Sequence, residues 1–265
     1  MSEVTVDISH GIATITMNRP KSLNAITPED YDKLANVLRE VDKRDDVVAT
    51  VWQATGRWFC AGTDVKQRSA SGESVRDAFL GPVARSNLDT TNAMYSHSKI
   101  LVAALNGPAM GIAAAFLGNF DLIYCMPDAW ISTPFSLLAI VAEARSSVTF
   151  ANRMGVAKAT EALLFGRKVP ADELLRCGFV NKIFPAQPVP DFHSAVRAHL
   201  LDQLDGLDPV AVLTSKKLIR QGLDERSNPD AAILRESYAQ AERFASGRPK
   251  QQFQRIANKE IRHKL

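Results

Sequence analysis

The sequence predicts an α/β protein with a helical C-terminal region, and two patterns indicate this class. Through about residue 185, short apolar runs alternate with helical stretches, as in βα or ββα units. From Asp191 onward the strand signals stop and amphipathic helical segments follow. We therefore expect a core domain over residues 1–190. Residues 191–265 are expected to form a helical region that packs against a neighbouring subunit or over a site.

Local spacing predicts the elements of the core domain. Alternating apolar residues on either side of His10-Gly11 indicate a β-hairpin. Thr27 as N-cap and Pro28 at the first helical position begin a helix that continues to about residue 41. A polar helical stretch is expected at about 72–97. Three apolar runs are expected to be buried strands: "VVATVWQA", "ILVAAL" and "DLIYC".

Three amphipathic segments are expected as helices in the C-terminal region. They read "FHSAVRAHLLDQL", "PVAVLTSKKLIRQGL" and "AAILRESYAQAERFASG". Glycine commonly follows the last turn of a helix, so we expect these helices to end at Gly206, Gly222 and Gly247.

Composition excludes several classes of protein. The net charge is +3 and the basic residues are dispersed, so nothing indicates a nucleic-acid partner. Cys60, Cys125 and Cys177 lack metal-ligand spacing, and their odd number argues against a disulfide framework. We expect no metal site and a reducing compartment.

The ends of the sequence bear on location. No apolar run reaches the roughly 18 residues that a membrane span needs, and the N-terminus does not resemble a signal peptide. The last three residues, His263-Lys264-Leu265, approximate the Ser-Lys-Leu peroxisomal address. We expect recognition by the peroxisomal import receptor and a location in the peroxisomal matrix.

Four segments in order resemble the crotonase, or enoyl-CoA hydratase/isomerase, superfamily. They are "NRPKSLNAI" at 18–26, "GRWFCAGTDV" at 56–65, "NGPAMGI" at 106–112 followed by "FDLIY", and residues 159–185. The resemblance implies a spiral of ββα units, a helical trimerisation region and a homotrimer that can pair into a hexamer. It also implies a coenzyme A thioester as substrate, with no separate cofactor.

Two glycine-containing segments match the family's oxyanion hole. The resemblance assigns the backbone N–H groups of Thr63 and Ile112 to the thioester oxyanion, each preceded by a glycine, Gly62 or Gly111. Glycine permits a tight turn and close approach of a ligand, and the start of a helix favours negative charge. The alternative is that both are merely turn glycines.

Two residues beside these glycines belong to the same prediction. By resemblance Ala61 lines the coenzyme A site through backbone contacts. Asp64 is expected beside that site, more as an acid that organises the loop than as a catalyst.

The usual hydratase glutamates are absent from this sequence. The two family positions hold Ala115 and Phe135, and an apolar side chain cannot exchange a proton. Glu143 lies eight residues after Phe135, where the peroxisomal type of Δ3,Δ2-enoyl-CoA isomerase carries its single catalytic glutamate. One carboxylate suffices for that reaction, because it can take a proton from C2 and return it to C4.

The surroundings of Glu143 leave some alternatives open. Apolar neighbours such as Leu138 should raise the pKa of Glu143, and Leu138 and Phe135 are expected to contact substrate. The alternative for Glu143 is an exposed acid at a helix start. By alignment Asn87 occupies a position near the acyl group, the alternative being a solvated helix face.

Non-glycine residues follow Glu143, unlike the glycines that are common in the family. Arg145 could pair with Glu143, recognise a polar acyl group or be a solvated surface arginine, and we favour the surface. His97 and Asp121 are expected to be structural.

The resemblance therefore implies an isomerase that converts 3-enoyl-CoA to 2-trans-enoyl-CoA. Two alternatives remain open. One is a crotonase-type hydratase or dehydratase acting on a branched or polar acyl-CoA in secondary metabolism. The other is a non-catalytic trimer that binds acyl-CoA. Substitution of Glu143 discriminates between catalysis and binding alone.

Overall fold

The computed structural model describes residues 4–65 and 74–262. Within these ranges the strands are β1 (Val4–Ser9), β2 (Ile12–Met17), β3 (Ala49–Ala54), β4 (Ile100–Leu105), β5 (Ala109–Met110), β6 (Leu122–Cys125), β7 (Trp130–Ser132), β8 (Val169–Pro170) and β9 (Lys182–Ile183). The α-helices are α1 (Pro28–Asp42), α2 (Val75–Ala78), α3 (Thr91–Tyr95), α4 (Ile112–Phe116), α5 (Ser146–Phe165), α6 (Ala171–Arg176), α7 (Val189–Leu204), α8 (Pro209–Arg226), α9 (Pro229–Ala245) and α10 (Arg248–Ala257). A π-helix, Phe79–Thr90, connects α2 to α3.

In the described part of the chain the strands form two sheets. The larger has the order β1-β2-β3-β4-β6-β9, antiparallel between β1 and β2 and parallel elsewhere. The smaller contains β5, β7 and β8. The predicted hairpin is confirmed, since Ser9 lies opposite Ile12 and both His10 and Gly11 have positive φ. The α/β class with a helical C-terminal region is likewise confirmed.

Both faces of the larger sheet are buried. Successive residues of β4, such as Leu101 and Val102, belong to apolar clusters on opposite faces. Helix α7 covers the second face with Phe192, Val196 and Leu200. This packing attaches α7 to the sheet, although the sequence pattern assigns it to the C-terminal region. The division at residue 190 stays a prediction.

Helix α1 begins as the sequence predicts. The Thr27 hydroxyl accepts a hydrogen bond from the Asp30 N–H at 3.2 Å, and the Asp30 carboxylate accepts one from the Thr27 N–H at 3.0 Å. This reciprocal capping is worth about 1 kcal/mol and fixes the start of the helix. It also sets the position of Tyr31, whose ring reaches the cavity described below.

The prediction that a helix ends at Gly222 is wrong. Helix α8 continues to Arg226, and Gly222 lies in its interior. Gly206 and Gly247 do have the left-handed backbone that ends a helix, with φ near 70°. The chain leaves α8 only at Ser227, because the Asn228 side chain caps the next helix through the Ala231 N–H. Helix α10, after Gly247, is an addition to the predicted elements.

Polar contacts attach α8 to the sheet, and Asp121 is their centre. Its carboxylate lies 2.6 Å from Lys216 and 3.0 Å from Arg220 on α8, and it accepts a hydrogen bond from the Leu101 N–H at 2.7 Å. The expectation that Asp121 is structural is confirmed. His97 is also structural, since it is buried with its Nε2 2.8 Å from the Thr50 hydroxyl.

Burial of His97 predicts a loss of stability in acid. Burial lowers the pKa of His97 to about 4, Lys216 acts in the same direction and Asp42 opposes both. In the unfolded chain the pKa returns to about 6.5, so the unfolded state binds the additional proton between these values. The free energy of unfolding should be unaffected by His97 above pH 6.5. It should fall as the pH decreases toward 4, by on the order of 3 kcal/mol.

Urea unfolding at pH 7.5, 5.5 and 4.5 checks this for the wild type, His97→Gln and the exposed control His10→Gln. We expect His97→Gln to lose less stability on acidification than the other two proteins. Parallel stability curves for all three would contradict the assignment.

Candidate functional site

Two loops that the sequence singles out lie side by side. The Pro108 carbonyl accepts hydrogen bonds from the N–H groups of Phe59 at 3.0 Å and Cys60 at 3.2 Å. The Met110 N–H donates to the Cys60 carbonyl at 3.0 Å, and the Asn106 side chain donates to the Gly56 carbonyl at 2.7 Å. These bonds bring the segment at 56–63 against the segment at 106–112.

The first of the two predicted donors is the Thr63 N–H. Ile26 forms a parallel β-bridge with Thr63, in which it bonds to the two neighbours of Thr63. The Ile26 N–H donates to the Gly62 carbonyl, and the Ile26 carbonyl accepts from the Asp64 N–H, both at 2.8 Å. In such a parallel bridge the N–H of the middle residue is directed away from the partner strand. Gly62 has φ near 88°, and a Cβ there would lie 2.8 Å from the Met110 carbonyl oxygen. Only glycine fits this contact.

The second predicted donor is the Ile112 N–H at the start of α4. As the first residue of a helix, Ile112 has no intrahelical acceptor for its N–H, and the positive end of the helix lies there. Gly111 precedes it with φ 61° and ψ −132°, a conformation that side chains strongly disfavour. The Gly111 N–H donates to the Ser132 carbonyl at 2.9 Å, which holds this turn against β7.

A cavity of about 860 Å³ opens beside both loops. This volume is in the range of pockets that bind small molecules and cofactors. Its walls are mainly apolar, with contributions from Tyr31 on α1, Phe244 on α9 and Phe253 on α10. The predicted site residues that line it are Ala61, Gly62, Thr63, Asp64, Gly111, Ile112, Phe135, Leu138 and Glu143.

Glu143 is buried in this cavity, with 7% of its surface exposed. The alternative of an exposed acid at a helix start is therefore wrong. Gln240 on α9 donates a hydrogen bond from Nε2 to Glu143 Oε2 at 3.0 Å. Leu138 and Ile140, from the turn that precedes Glu143, line the same cavity. A carboxylate in such apolar surroundings can remove a proton from a bound ligand.

Asp64 is the other carboxylate in the described part of the lining. It lies 3.3 Å from Arg19 Nη2, and Arg19 also pairs with Asp30 at 3.0 Å. These ion pairs tie the loop of Asp64 to α1. They agree with a loop-organising role and leave Glu143 as the better candidate for a base.

Asn87 does not join the other predicted residues. It is fully buried in the π-helix and is not part of the cavity lining, whereas its neighbour Ser86 is. The alternative of a solvated helix face is therefore wrong, whereas a polar contact from Asn87 to the acyl group stays a prediction. The π-helix turns the side chain of Asn87 into the protein, which an alignment cannot show.

The expectation that Arg145 is a solvated surface residue is wrong. Only 2% of Arg145 is exposed, and its guanidinium lies 4.0 Å from the Tyr95 ring centroid. It donates to Asn92 Oδ1 at 2.8 Å, to Asp230 Oδ1 at 3.0 Å and to the Pro229 carbonyl at 3.2 Å. Burial lowers the pKa of Arg145, and Asp230 opposes that shift. Arg145 does not line the cavity, so it ties the loop after Glu143 to α3 and α9.

Sequence reasoning missed the residues of α9 that reach this site. Gln240 contacts Glu143. One turn earlier on α9, Glu236 accepts hydrogen bonds from the backbone N–H groups of Arg145 and Ser147, which follow Glu143 in the chain. The available signal is their spacing, because both fall on the buried face of α9 with Ile233, Ala241 and Phe244. A polar side chain on an otherwise apolar helix face needs a partner.

The described residues give less support to a cysteine nucleophile, a metal site or a membrane span. Burial raises the pKa of Cys60 to about 12, so this cysteine beside the site stays a thiol at neutral pH and is a poor nucleophile. Among residues 4–65 and 74–262, no three His, Cys, Asp or Glu side chains form a group that could hold a metal. In the same ranges no helix is both long and apolar enough to cross a bilayer.

Comparison with known proteins identifies the family. Residues 7–253 match the model of the family described as enoyl-CoA hydratase/isomerase. A crystal structure of an enoyl-CoA hydratase/isomerase from Pseudoalteromonas atlantica T6c has a TM-score of 0.83 and 28% identity, covering 99% of this chain and 100% of that one. The fold is that of a crotonase-type protein. This chain belongs to the enoyl-CoA hydratase/isomerase family.

Two curated relatives are similar over most of the chain. The first is a "Delta(3,5)-Delta(2,4)-dienoyl-CoA isomerase" of Pyricularia oryzae, 40% identical over 98% of each chain. The second is the mouse protein "Enoyl-CoA delta isomerase 3, peroxisomal". It is 34% identical over 83% of this chain and 67% of its own length.

Proposed function

We propose that this chain is an acyl-CoA isomerase that converts 3-enoyl-CoA to 2-trans-enoyl-CoA. The observation that carries the proposal is Glu143, a buried carboxylate in an apolar cavity whose wall also contains Thr63 and Ile112. The names of the relatives support isomerase activity more broadly.

In the proposed reaction Glu143 acts first as base and then as acid. Its carboxylate takes a proton from C2, and the electrons left behind form a dienolate whose charge lies on the thioester oxygen. The N–H groups of Thr63 and Ile112 stabilise that oxygen, because donors already fixed in place need no reorganisation when charge develops. Glu143 then gives the same proton to C4, so that the thioester carbonyl is restored and the C3–C4 double bond is replaced by one between C2 and C3. No oxidation state changes, so the reaction needs no redox cofactor.

Hydration is a weaker candidate for this cavity. Activation of water and protonation of the α-carbon are normally shared between two groups. Ala115 is fully buried, and Phe135 presents an aromatic ring to the cavity where the family's hydratases carry carboxylates.

A shift of a 3,5-dienoyl-CoA to its 2,4-isomer is a second candidate, because the 40% identical relative carries that name. The proton must then move from C2 to C6 instead of C4. A single carboxylate more readily serves two carbons separated by one atom than two carbons separated by three. Since Asp64 is engaged by Arg19, the cavity favours the shorter transfer.

Coenzyme A would enter as part of the substrate. Lys21 and Arg85 line the cavity and supply positive charge for its phosphates. We also propose a peroxisomal location, which the name of the mouse relative supports. The predicted address at His263–Leu265 lies outside the described residues. Assembly into a trimer or hexamer stays a prediction.

The test uses three substrates with the purified chain: 3-trans-decenoyl-CoA, 3,5-decadienoyl-CoA and 2-trans-decenoyl-CoA. Chromatography separates the isomers, and mass spectrometry detects the water added by hydration. We expect the highest kcat/KM for 3-trans-decenoyl-CoA and no hydration above background. Faster conversion of the dienoyl substrate would favour the second candidate, and inactivity on both isomerisation substrates would contradict the proposal.

A further inference from the structure

Helix α9 lies along the segment that carries Glu143, and its side chains contact that segment at regular intervals. Arg243 donates to the Ala139 carbonyl at 2.8 Å. One turn back toward the N-terminus, Gln240 reaches Val141 and Glu143. A further turn back, Glu236 accepts hydrogen bonds from the N–H groups of Arg145 at 2.7 Å and Ser147 at 2.9 Å. The helix and the segment therefore run antiparallel and are joined over the whole span of 139–147.

This segment requires such support because its backbone is strained. Ala144 and Arg145, the two residues after Glu143, have φ values of 58° and 64°, in the left-handed region that non-glycine residues rarely occupy. The carboxylate of Glu236 fixes the backbone at Arg145 and Ser147 by accepting their N–H groups, and Asn119 donates to the Ala144 carbonyl at 3.1 Å. The position of the Glu143 main chain is thus determined by residues distant in sequence.

Gln240 adds control over the Glu143 side chain. Its Oε1 accepts a hydrogen bond from the Val141 N–H at 3.1 Å, while its Nε2 donates to Glu143 Oε2 at 3.0 Å. The first bond determines the second, because an N–H must face the amide oxygen and the amide nitrogen is then directed at the carboxylate. A flipped amide would place two oxygens against each other.

We infer that Gln240 is a positioning residue for the base, an inference that rests on the proposed function. It holds one oxygen of Glu143 in a fixed place and stabilises the ionised carboxylate with a charge-assisted hydrogen bond. Both Glu143 and Gln240 are buried, so water cannot readily replace this donor. Gln240 is not part of the cavity lining, so its effect on a bound ligand passes through Glu143.

The variant Gln240→Met keeps the length of the side chain and removes both hydrogen bonds. We expect kcat for 3-trans-decenoyl-CoA to fall about ten- to hundredfold, the usual effect of losing a hydrogen bond to a charged group. The Kd for decanoyl-CoA, a saturated ligand that cannot react, should change less than twofold. Misplacing the base slows proton transfer without removing a contact to the ligand.

Gln252→Met is the matched control. Gln252 on α10 donates to the Leu137 carbonyl at 3.0 Å, so it holds the same turn but does not contact Glu143. We expect its kcat to stay within threefold of wild type. If Gln240→Met keeps kcat within twofold of wild type, or if both variants lose kcat equally, the inference is overturned.

A second measurement is independent of activity. Unfolding equilibria of the wild type, Glu143→Met, Gln240→Met and the double variant form a double-mutant cycle. We expect the effect of Gln240→Met on the unfolding constant to be at least tenfold smaller when Glu143 is absent. If the wild type lacks isomerase activity, this coupling would still establish the contact while the proposed function fails. Additive effects would overturn the inference whatever the activity.

Discussion

Replacing Glu143 by glutamine should lower kcat for 3-trans-decenoyl-CoA by roughly three or more orders of magnitude, which corresponds to about 4 kcal/mol of transition-state stabilisation. An amide cannot accept the C2 proton, and in the proposed reaction the same group must also deliver a proton to C4. Glutamine has nearly the shape of glutamate and can still accept the hydrogen bond from Gln240. The fold and the affinity for acyl-CoA should therefore be preserved. Steady-state kinetics and calorimetric titration with decanoyl-CoA measure the two quantities.

Glu242→Gln supplies the control, because Glu242 is an exposed acid on α9. Its kcat should equal that of the wild type. If the wild type is active and Glu143→Gln has the same kcat, the proposed role of Glu143 is contradicted. A protein that binds decanoyl-CoA equally well in both forms, and converts nothing, would instead be a non-catalytic binder of acyl-CoA.

Replacing Gly62 by alanine should lower kcat about a hundred- to thousandfold, the effect typical of losing one donor from an oxyanion hole. The added methyl group would lie 2.8 Å from the Met110 carbonyl oxygen, and φ near 88° is unfavourable for alanine. Relief of this contact must move the Gly62-Thr63 peptide or the Met110-Gly111 peptide. The first of these peptides carries the Thr63 N–H, and the second directly precedes the peptide that carries the Ile112 N–H. The measurement is kcat of the folded variant, with circular dichroism to verify the fold.

Two further glycines separate the causes. Gly111→Ala introduces backbone strain at φ 61° but no close contact, since nothing lies within 4 Å of its Cβ. Gly222→Ala in the interior of α8 introduces neither and should leave kcat unchanged. We expect Gly111→Ala to reduce kcat as well, because Ile112 follows it directly. Wild-type kcat in Gly62→Ala would argue against the role of these peptides.

Much of the fold could be predicted because it depends on local patterns. The hairpin at His10-Gly11 and the cap at Thr27 follow from turn and capping chemistry within a few residues. The loops of Gly62 and Gly111 are assigned to one site by their resemblance to the family's motifs, and the structure places both in one cavity with Glu143.

The rest depends on contacts between residues far apart in the sequence. Arg145 is buried because of Asn92 and Asp230, more than 50 residues away on either side. Gln240 contacts Glu143 only because α9 lies along the Glu143 segment, which is 97 residues earlier in the chain. Local periodicity identifies α9 as a helix but does not say which segment it covers.

The most direct test of the central claim follows the transferred proton itself. The claim is that one carboxylate carries a proton between two carbons of a thioester. A single turnover with 3-trans-decenoyl-CoA carrying two deuterium atoms at C2 should give 2-trans product with deuterium at C4 in a measurable fraction of molecules. Glu143 is buried, so its deuteron is transferred to C4 before it exchanges completely with water. Full conversion to product that carries no deuterium at C4 at any reaction time would contradict the account.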